Sequence, residues 1–315
     1  MASCSSPGNL FLFGEHAVVY GKPVIITSVN LRVDCKIKSL SQEKIKISSK
    51  ELGEALLTKK KRGRKDLFIL LDLCQDLLLK FKIKKGLDLI IKSGIPVASG
   101  LSSSTATLCS ILGAFSKLFN LGIKPENYYN HLIKYQKIIH GGKASGVEII
   151  SSSQGGFNYV SFKKKLRIKK LGKCPFKIVI GDSGIKTKTA KTVKNFIPKL
   201  MKKSPKLVLK SFDKIEELTN EGLKAVLKQD LIKMGRLVNE NQIILSRLGL
   251  SHPRLDRGIK AALNAGAYGA KLSGKGQGGV MFALVNQSSQ ESVAKAIKNA
   301  GLKVIITKIG IEGIK

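Results

Sequence analysis

The sequence is poor in cysteine, and the few cysteines it has form no recognisable framework. The five residues Cys4, Cys35, Cys74, Cys109 and Cys174 are odd in number and widely scattered along the 315 positions. Disulfide-stabilised folds and zinc sites need paired or closely spaced cysteines, so the sequence excludes both classes. The pattern instead predicts reduced thiols, buried as small apolar side chains.

Long apolar segments are also missing. The longest stretch without a charged residue, 93–116, contains Pro96, glycines and many hydroxyl residues. A membrane-spanning helix needs about 20 predominantly apolar residues, so this stretch does not qualify. The first residues show no basic segment followed by an apolar one, and Glu15 and His16 interrupt the first hydrophobic patch. We therefore expect a cytoplasmic protein without an export signal or a membrane partner.

Acidic residues are scarce relative to basic ones. The chain has 56 Lys and Arg against 21 Asp and Glu, which gives a net charge of +35. Such a charge attracts polyanions, and the run KKKRGRK at 59–65 would meet them first. However, aromatic residues make up only 6% of the chain, and no zinc finger, RRM signature or KH loop is present. The charge therefore favours an enzyme that handles anions, with no specific nucleic-acid partner.

The most informative segment is GIPVASGLSSSTA, residues 94–106. It follows a strand predicted over 87–92 and precedes apolar residues at helical spacing that continue to Phe119. A turn of this kind leaves backbone amides available at a helix N-terminus, where the helix dipole also favours a phosphate group. No Gly-Lys-Ser/Thr follows, so the segment is not the common P-loop. The residues predicted to bind ATP are Pro96, Val97, Ala98, Ser99, Gly100, Leu101, Ser102, Ser103 and Ser104.

The order of apolar segments predicts two domains. A length of 315 residues fits about two domains of roughly 150 residues each, and the expected boundary near Pro175 divides the chain into 1–172 and 173–315. In the first domain we predict strands at 10–13, 23–29, 32–39, 87–92 and 155–162, and helices at 67–81, from 106 to 119 and at 125–139. In the second we predict strands at 176–181, 278–285 and 302–308, and helices within 189–248 and at 255–265 and 290–299.

Three separated motifs resemble the GHMP small-molecule kinases. They are SPGNLFLFGEHAVVYGKPVI at 6–25, GIPVASGLSSSTA at 94–106 and GAKLSGKGQGGVMFALV at 269–285, and their order and spacing match over essentially the whole chain. Within that family, GEHAVVYG at 14–21 and SHPRLD at 251–256 are most similar to the archaeal-type mevalonate kinases. The resemblance implies an α+β fold with two domains, the first like ribosomal protein S5 domain 2 and the second ferredoxin-like, with ATP and substrate in the cleft between them.

The resemblance also implies an activity. A transferase of this kind moves the γ-phosphoryl group of ATP, its co-substrate, to the 5-hydroxyl of mevalonate in isoprenoid synthesis, with Mg²⁺ as cofactor. Two alternatives stay open: a GHMP kinase for another small hydroxy acid or alcohol, and a catalytically weakened or non-catalytic homologue. The sequence also leaves the oligomeric state open, with a homodimer as one possibility.

Several residues take their expected roles from the matched motifs. Glu15 and His16 match the family's substrate-pocket pair, and Ser104 matches its metal-associated serine. Thr189 lies where the family places a threonine near the substrate, although N-capping of the next helix is an equal alternative. The glycines of SGKGQGGV, residues 273–280, would let a loop pack closely beside the phosphates.

The chain departs from the family pattern at four places. Glu148 stands where the family has its catalytic aspartate, and we expect this carboxylate to accept or orient the proton of the substrate hydroxyl. Gln136 aligns with a metal-binding glutamate and is predicted, with Ser104, to lie at the metal. Asn9 replaces a lysine that many relatives carry, and Lys275 and Gln277 interrupt the glycine-rich turn.

Overall fold

The architecture is two β-sheets, each covered by helices. The computed structural model describes residues 1–96, 99–162, 165–172, 176–186 and 196–315. The strands are β1 Ala2–Phe13, β2 Val24–Leu40, β3 Ile45–Ser49, β4 Gly53–Leu57, β5 Lys61–Gly63, β6 Gly86–Ser93, β7 Phe157–Ser161, β8 Arg167–Lys170, β9 Lys177–Asp182, β10 Gly269–Ser273, β11 Val280–Val285 and β12 Lys303–Ile306. The α-helices are α1 Phe68–Lys80, α2 Ser103–Leu118, α3 Tyr128–Ile139, α4 Val147–Gln154, α5 Ile197–Lys203, α6 Pro205–Leu227, α7 Leu231–Arg247, α8 Pro253–Asn264 and α9 Gln290–Asn299.

The first sheet is organised around β2. The strand order is β5-β4-β3-β6-β2-β7-β8, so β2 pairs with β6 on one side and with β7 on the other. Strand β1 lies outside this order and pairs with β2 as well. The pairing of β3 with β6 is parallel, whereas the other named pairs in this sheet are antiparallel. Helix α2 packs against β1 and β2. Its apolar side chains from Ala106 to Phe115 are fully buried, so the N-terminal end of α2 is held rigidly at the edge of this core.

The second sheet has the strand order β10-β11-β9-β12, with antiparallel pairing throughout. Along the chain the described elements of this half are β9, the helices α5 to α8, β10, β11, α9 and β12. This succession and the strand order in the sheet together give a ferredoxin-like arrangement. Helices α8 and α9 pack on the strands of this sheet. Helix α7 contacts both β10 and β1, so it connects the two halves.

The chain's last residues return to the first sheet. Ile309 forms an isolated bridge with Val29, and Glu312 forms one with Gly155. The backbone groups of Ser5 and Lys315 exchange two hydrogen bonds, of 3.1 and 2.9 Å. The predicted division at 172/173 remains a prediction, because residues 173–175 lie outside the described part and the tail crosses any such division.

The structure confirms most predicted elements and corrects some. The two strands expected at 23–29 and 32–39 are one continuous strand, β2, whose register with β1 shifts between Pro7 and Gly8. Strand β1 begins at Ala2 and not at position 10, and helix α4 and strands β3, β4, β5, β8 and β10 were not predicted individually. Helix α4 contains three consecutive serines, which favour turns over helix interiors, and β10 carries a lysine among apolar residues.

Two predictions about composition can be compared with the described residues. Cys4, Cys35, Cys74 and Cys109 are free and buried, as expected, and Cys174 lies outside the described part. Among the described helices, none has both the length and the apolar character needed to cross a membrane.

Candidate active site

A cleft with a volume of about 460 Å³ lies where loops of the two sheets meet. Both halves contribute to its wall: the N-terminal end of α2, the first turn of α4, the segment after β1, and the glycine-rich loop between β10 and β11. Another part of the wall is apolar and includes Leu52, Leu67, Leu70 and Ile91. A cleft of this size can bury most of a nucleotide-sized ligand.

The predicted phosphate loop lies at this cleft. Ser99, Gly100, Ser102, Ser103 and Ser104 line it, with Ser104 exposed in the first turn of α2. The first backbone N–H groups of a helix have no partner within the helix, so the end of α2 presents donors to an anion. Of the other predicted residues, Leu101 is fully buried, Pro96 is half-buried and not part of the wall, and Val97 and Ala98 lie outside the described residues.

The glycine-rich loop after β10 packs directly against the phosphate loop, which confirms the close packing predicted for it. A Cβ atom on Gly274 would lie 2.9 Å from the carbonyl oxygen of Gly100, and one on Gly279 would lie 2.6 Å from that of Ser99. Both glycines also have positive φ values, of 82° and 74°. Larger residues at these two positions would push the loops apart and widen the cleft.

Glu148 is held in the cleft by hydrogen bonds from two side chains, with a third side chain close by. The hydroxyl of Ser102 donates to its Oε1 at 2.7 Å, and the amide of Gln136 donates to its Oε2 at 2.6 Å. The Nε2 atom of His140 lies 3.7 Å from Oε2. The α4 turn that carries Glu148 starts at Gly146, where φ is 83° and a Cβ atom would collide with the ring of Tyr129. The carboxylate is therefore fixed at the end of α2.

Gln136 and Asn9 occupy positions that the resemblance assigns to a glutamate and a lysine. Gln136 is fully buried, and besides Glu148 its amide donates to Thr105 Oγ1 at 3.0 Å. The amide of Asn9, also fully buried, donates to Ser152 Oγ at 2.7 Å and to the carbonyl of Glu148 at 3.3 Å. Neither side chain belongs to the cleft wall. Both contribute to holding Glu148 in place.

Glu15 forms a buried ion pair that sequence reasoning missed. Lys271 in β10 donates to Glu15 Oε1 and to the carbonyl of Leu272. The Lys271 side chain is 0% exposed and the Glu15 side chain 2%. Burial raises the pKa of the Glu15 carboxyl and lowers that of the Lys271 ammonium, while their mutual attraction opposes both shifts. A lysine inside a short strand gives no periodic signal, so only the fold could reveal this partner.

His16 follows Glu15 with a left-handed backbone, at φ 60°. Its Nε2 lies 3.1 Å from the carbonyl oxygen of Lys275, which can only accept, so Nε2–H donates. Burial lowers the pKa of His16 to about 4, and the imidazole is therefore neutral at pH 7. His16 thus joins the segment after β1 to the glycine-rich loop. Thr187 and Thr189 lie outside the described residues.

The lowered pKa of His16 predicts a loss of stability in acid. An unfolded histidine has an ordinary pKa of 6.5, so between pH 6.5 and about 4 the unfolded chain binds the extra proton. The contribution of the neutral His16 to the free energy of unfolding is fully present above pH 6.5 and is lost as the pH falls towards 4. At about 1.4 kcal/mol per pKa unit, wild-type protein should lose about 3 kcal/mol more unfolding free energy than His16→Asn between pH 7 and pH 4.

Denaturant titrations of both proteins at the two pH values measure this difference. Asparagine tolerates the left-handed backbone, so the variant keeps the local turn. Equal losses in the two proteins would contradict a neutral, buried imidazole at position 16.

Comparisons with known proteins agree with this geometry. The family model described as GHMP kinases N terminal domain matches residues 69–156, and that described as GHMP kinases C terminal matches 223–303. The chain is 32% identical to a mevalonate kinase from Thermococcus sibiricus, over 99% of this chain and 97% of the relative.

Solved structures share the fold. A crystal structure of a mevalonate kinase aligns with a TM-score of 0.82 at 25% identity, covering 99% of this chain and all of that one. A galactokinase from Lactococcus lactis aligns almost as well, with a TM-score of 0.81 at 21% identity over 100% of this chain and 94% of its own. The architecture by itself therefore does not select the substrate.

Proposed function

The chain belongs to the GHMP kinase family, and from that premise we propose that it transfers the γ-phosphoryl group of ATP to the 5-hydroxyl of mevalonate. The name of the T. sibiricus relative supports this acceptor, since the similarity to that relative extends over nearly the whole of both chains. The observation that carries the proposal is the Glu148 carboxylate, fixed by Ser102 at the N-terminal end of α2 inside the cleft. We place the reaction in the cytoplasm.

Phosphoryl transfer needs positioning, charge neutralisation and a base near the attacking hydroxyl. In the proposed reaction the hydroxyl oxygen forms a bond to the γ-phosphorus, and the bond from that phosphorus to the bridging oxygen breaks with its electron pair left on ADP. Glu148 takes the hydroxyl proton. The amides at the start of α2, with Ser103 and Ser104, hold the phosphates.

The acceptor would lie beside Glu15 and His16. Both residues line the cleft, and each is fixed by a residue of the second domain, Glu15 by Lys271 and His16 by the carbonyl of Lys275. A carboxylate held in this way is suited to accept a hydrogen bond from a substrate hydroxyl. Thr189 stays our candidate for a further substrate contact, on the resemblance alone.

The oxygen donors in the cleft fit a Mg²⁺ ion that arrives on the nucleotide. Mg²⁺ usually keeps several waters and is bound by one or two protein oxygens together with phosphates. Ser104 presents an exposed hydroxyl at the phosphate loop and is the ligand we propose. Gln136 stays our candidate for a further metal contact, on the resemblance alone: its amide nitrogen donates to Glu148, and its carbonyl oxygen has no hydrogen-bond partner among the described residues. In the part of the chain that is described, no cluster of acidic, His or Cys side chains could form a metal cage. When bound, the ion would neutralise charge on the phosphates.

A panel of acceptors tests the proposed function. Purified protein is incubated with ATP, Mg²⁺ and, in turn, mevalonate, phosphomevalonate, pantoate, homoserine and a sugar, and ADP and the phosphorylated product are measured. We expect product with mevalonate. If mevalonate gives no ADP above background while another acceptor does, the chain is a GHMP kinase of different specificity. If no acceptor reacts although ATP binds, it is a non-catalytic homologue.

A further inference from the structure

The cleft carries few positive charges for so basic a chain. Four carboxylates, those of Glu15, Glu51, Asp66 and Glu148, are among the described residues of its wall, and Lys275 supplies the one ammonium group among them. A triphosphate and a developing phosphoryl charge both call for cationic neighbours. Of the lysines that the structure describes, Lys275 is the one in this wall, so among the described residues it supplies the positive charge nearest to a bound phosphate.

The fold holds Lys275 in place through its two flanking glycines. Gly274 packs against Gly100, and Gly276 approaches Leu250 so closely that a Cβ atom would lie 2.3 Å from the carbonyl oxygen of Leu250. The carbonyl of Lys275 itself accepts the hydrogen bond from His16 at 3.1 Å. The loop is thus anchored to both domains, and the lysine side chain is only 7% exposed although it lines the cleft.

Lys275 and Glu148 lie close enough to interact electrostatically. Burial lowers the pKa of the Lys275 ammonium to about 8, and the negative charge of Glu148 opposes that shift. The lysine is therefore mostly protonated at pH 7. The other titratable groups of this part of the wall are His16, which is neutral, His140, and Glu15 with its partner Lys271.

We propose that Lys275 is a catalytic residue, whose ammonium group contacts the γ-phosphoryl group and neutralises its charge while the group moves to the hydroxyl oxygen. This inference rests on the proposed function. Lys275 keeps its proton throughout the step, the hydroxyl proton goes to Glu148, and ADP leaves with the electron pair of the broken P–O bond. The glycine-rich loop would supply this charge because Asn9, at the position that the resemblance assigns to a lysine, is neutral and donates to Ser152 and to the Glu148 backbone.

The test compares Lys275→Met, Lys275→Arg and a control, Lys260→Met, which removes an exposed lysine of α8. We expect Lys275→Met to lower kcat by about 10²–10³-fold, the effect of removing one preorganised donor to a developing charge. The KM for mevalonate and the Kd for ATP should change by less than about threefold, since the contact strengthens in the transition state. The control should match wild type.

The dependence of kcat on pH separates this role from a structural one. Wild-type activity should fall as the pH rises through about 8, where Lys275 loses its proton. In Lys275→Arg, whose guanidinium stays charged, that fall should disappear while kcat remains above that of Lys275→Met. An unchanged alkaline limb in Lys275→Arg contradicts the proposal, even if Lys275→Met fails to fold.

Two other results would also overturn the proposed role of Lys275. A kcat for folded Lys275→Met within threefold of wild type overturns the proposal. A rise in KM for the acceptor with kcat unchanged does so too, because it assigns the lysine to ground-state binding of the substrate. If wild-type protein phosphorylates another acceptor and not mevalonate, the proposed function fails, and the same variants are then compared with that acceptor.

Discussion

Glu148→Gln should lower kcat at least tenfold and leave ATP affinity unchanged. Losing a general base typically costs on the order of 10²–10⁴-fold, and glutamine cannot take the hydroxyl proton. The substitution keeps the size of the side chain, and its amide oxygen can still accept from Ser102 or Gln136. The nucleotide phosphates contact α2 and not position 148 in our proposal, so binding should be preserved. Steady-state kinetics and calorimetric titration with ATP measure the two quantities.

The matched control for this prediction is Glu240→Gln, which removes an exposed carboxylate of α7. It should have wild-type kcat. Equal turnover of Glu148→Gln and wild type would remove Glu148 from the mechanism. A parallel loss of ATP affinity would indicate that the substitution disturbs the end of α2.

Lys271→Met should destabilise the protein by about 3–5 kcal/mol, because it leaves the Glu15 carboxylate buried without its counter-charge. Glu15 is 2% exposed, and its Oε2 atom has no hydrogen-bond partner among the described residues, so Lys271 supplies its main compensation. Methionine fills a similar volume against Phe282, whose ring centre lies 5.5 Å from the lysine nitrogen. The expected loss is therefore electrostatic and not a cavity effect. Denaturant unfolding at pH 7 measures it.

The double variant Glu15→Gln/Lys271→Met provides the decisive comparison. Replacing both members of a buried ion pair is often close to neutral, so the double variant should recover most of the stability that Lys271→Met loses. Lys298→Met, at an exposed position in α9, serves as the control and should unfold like wild type. If the double variant is as unstable as Lys271→Met, the pair does not act as an electrostatic unit.

The sequence predicted the parts of the site that depend on local chemistry. A glycine-serine turn before an apolar helix determines where phosphates can bind, and the structure places Ser102, Ser103 and Ser104 in the cleft. Glu15 and His16 also line it, as the matched motif implied. These residues lie within short segments whose pattern can be recognised without knowing the fold.

Contacts between distant segments could not be predicted in this way. The resemblance places Gln136 at the metal, which stays a prediction, but it gave no sign that the amide of Gln136 donates to Glu148, twelve positions away. Lys271 looked like an ordinary member of a lysine-rich sequence, and Lys275 stood out only as an interruption of the glycine-rich turn. Their burial depends on how β10 and its loop pack against the first domain, and no periodicity in the chain encodes that packing.

The return of the last residues to the first sheet makes the two halves interdependent. A fragment ending at 172 would lack the backbone partners that Ile309, Glu312 and Lys315 supply to Val29, Gly155 and Ser5. Neither half is then a complete folding unit by itself. Heat or denaturant should accordingly melt the whole molecule in a single cooperative transition, in spite of its two separate sheets.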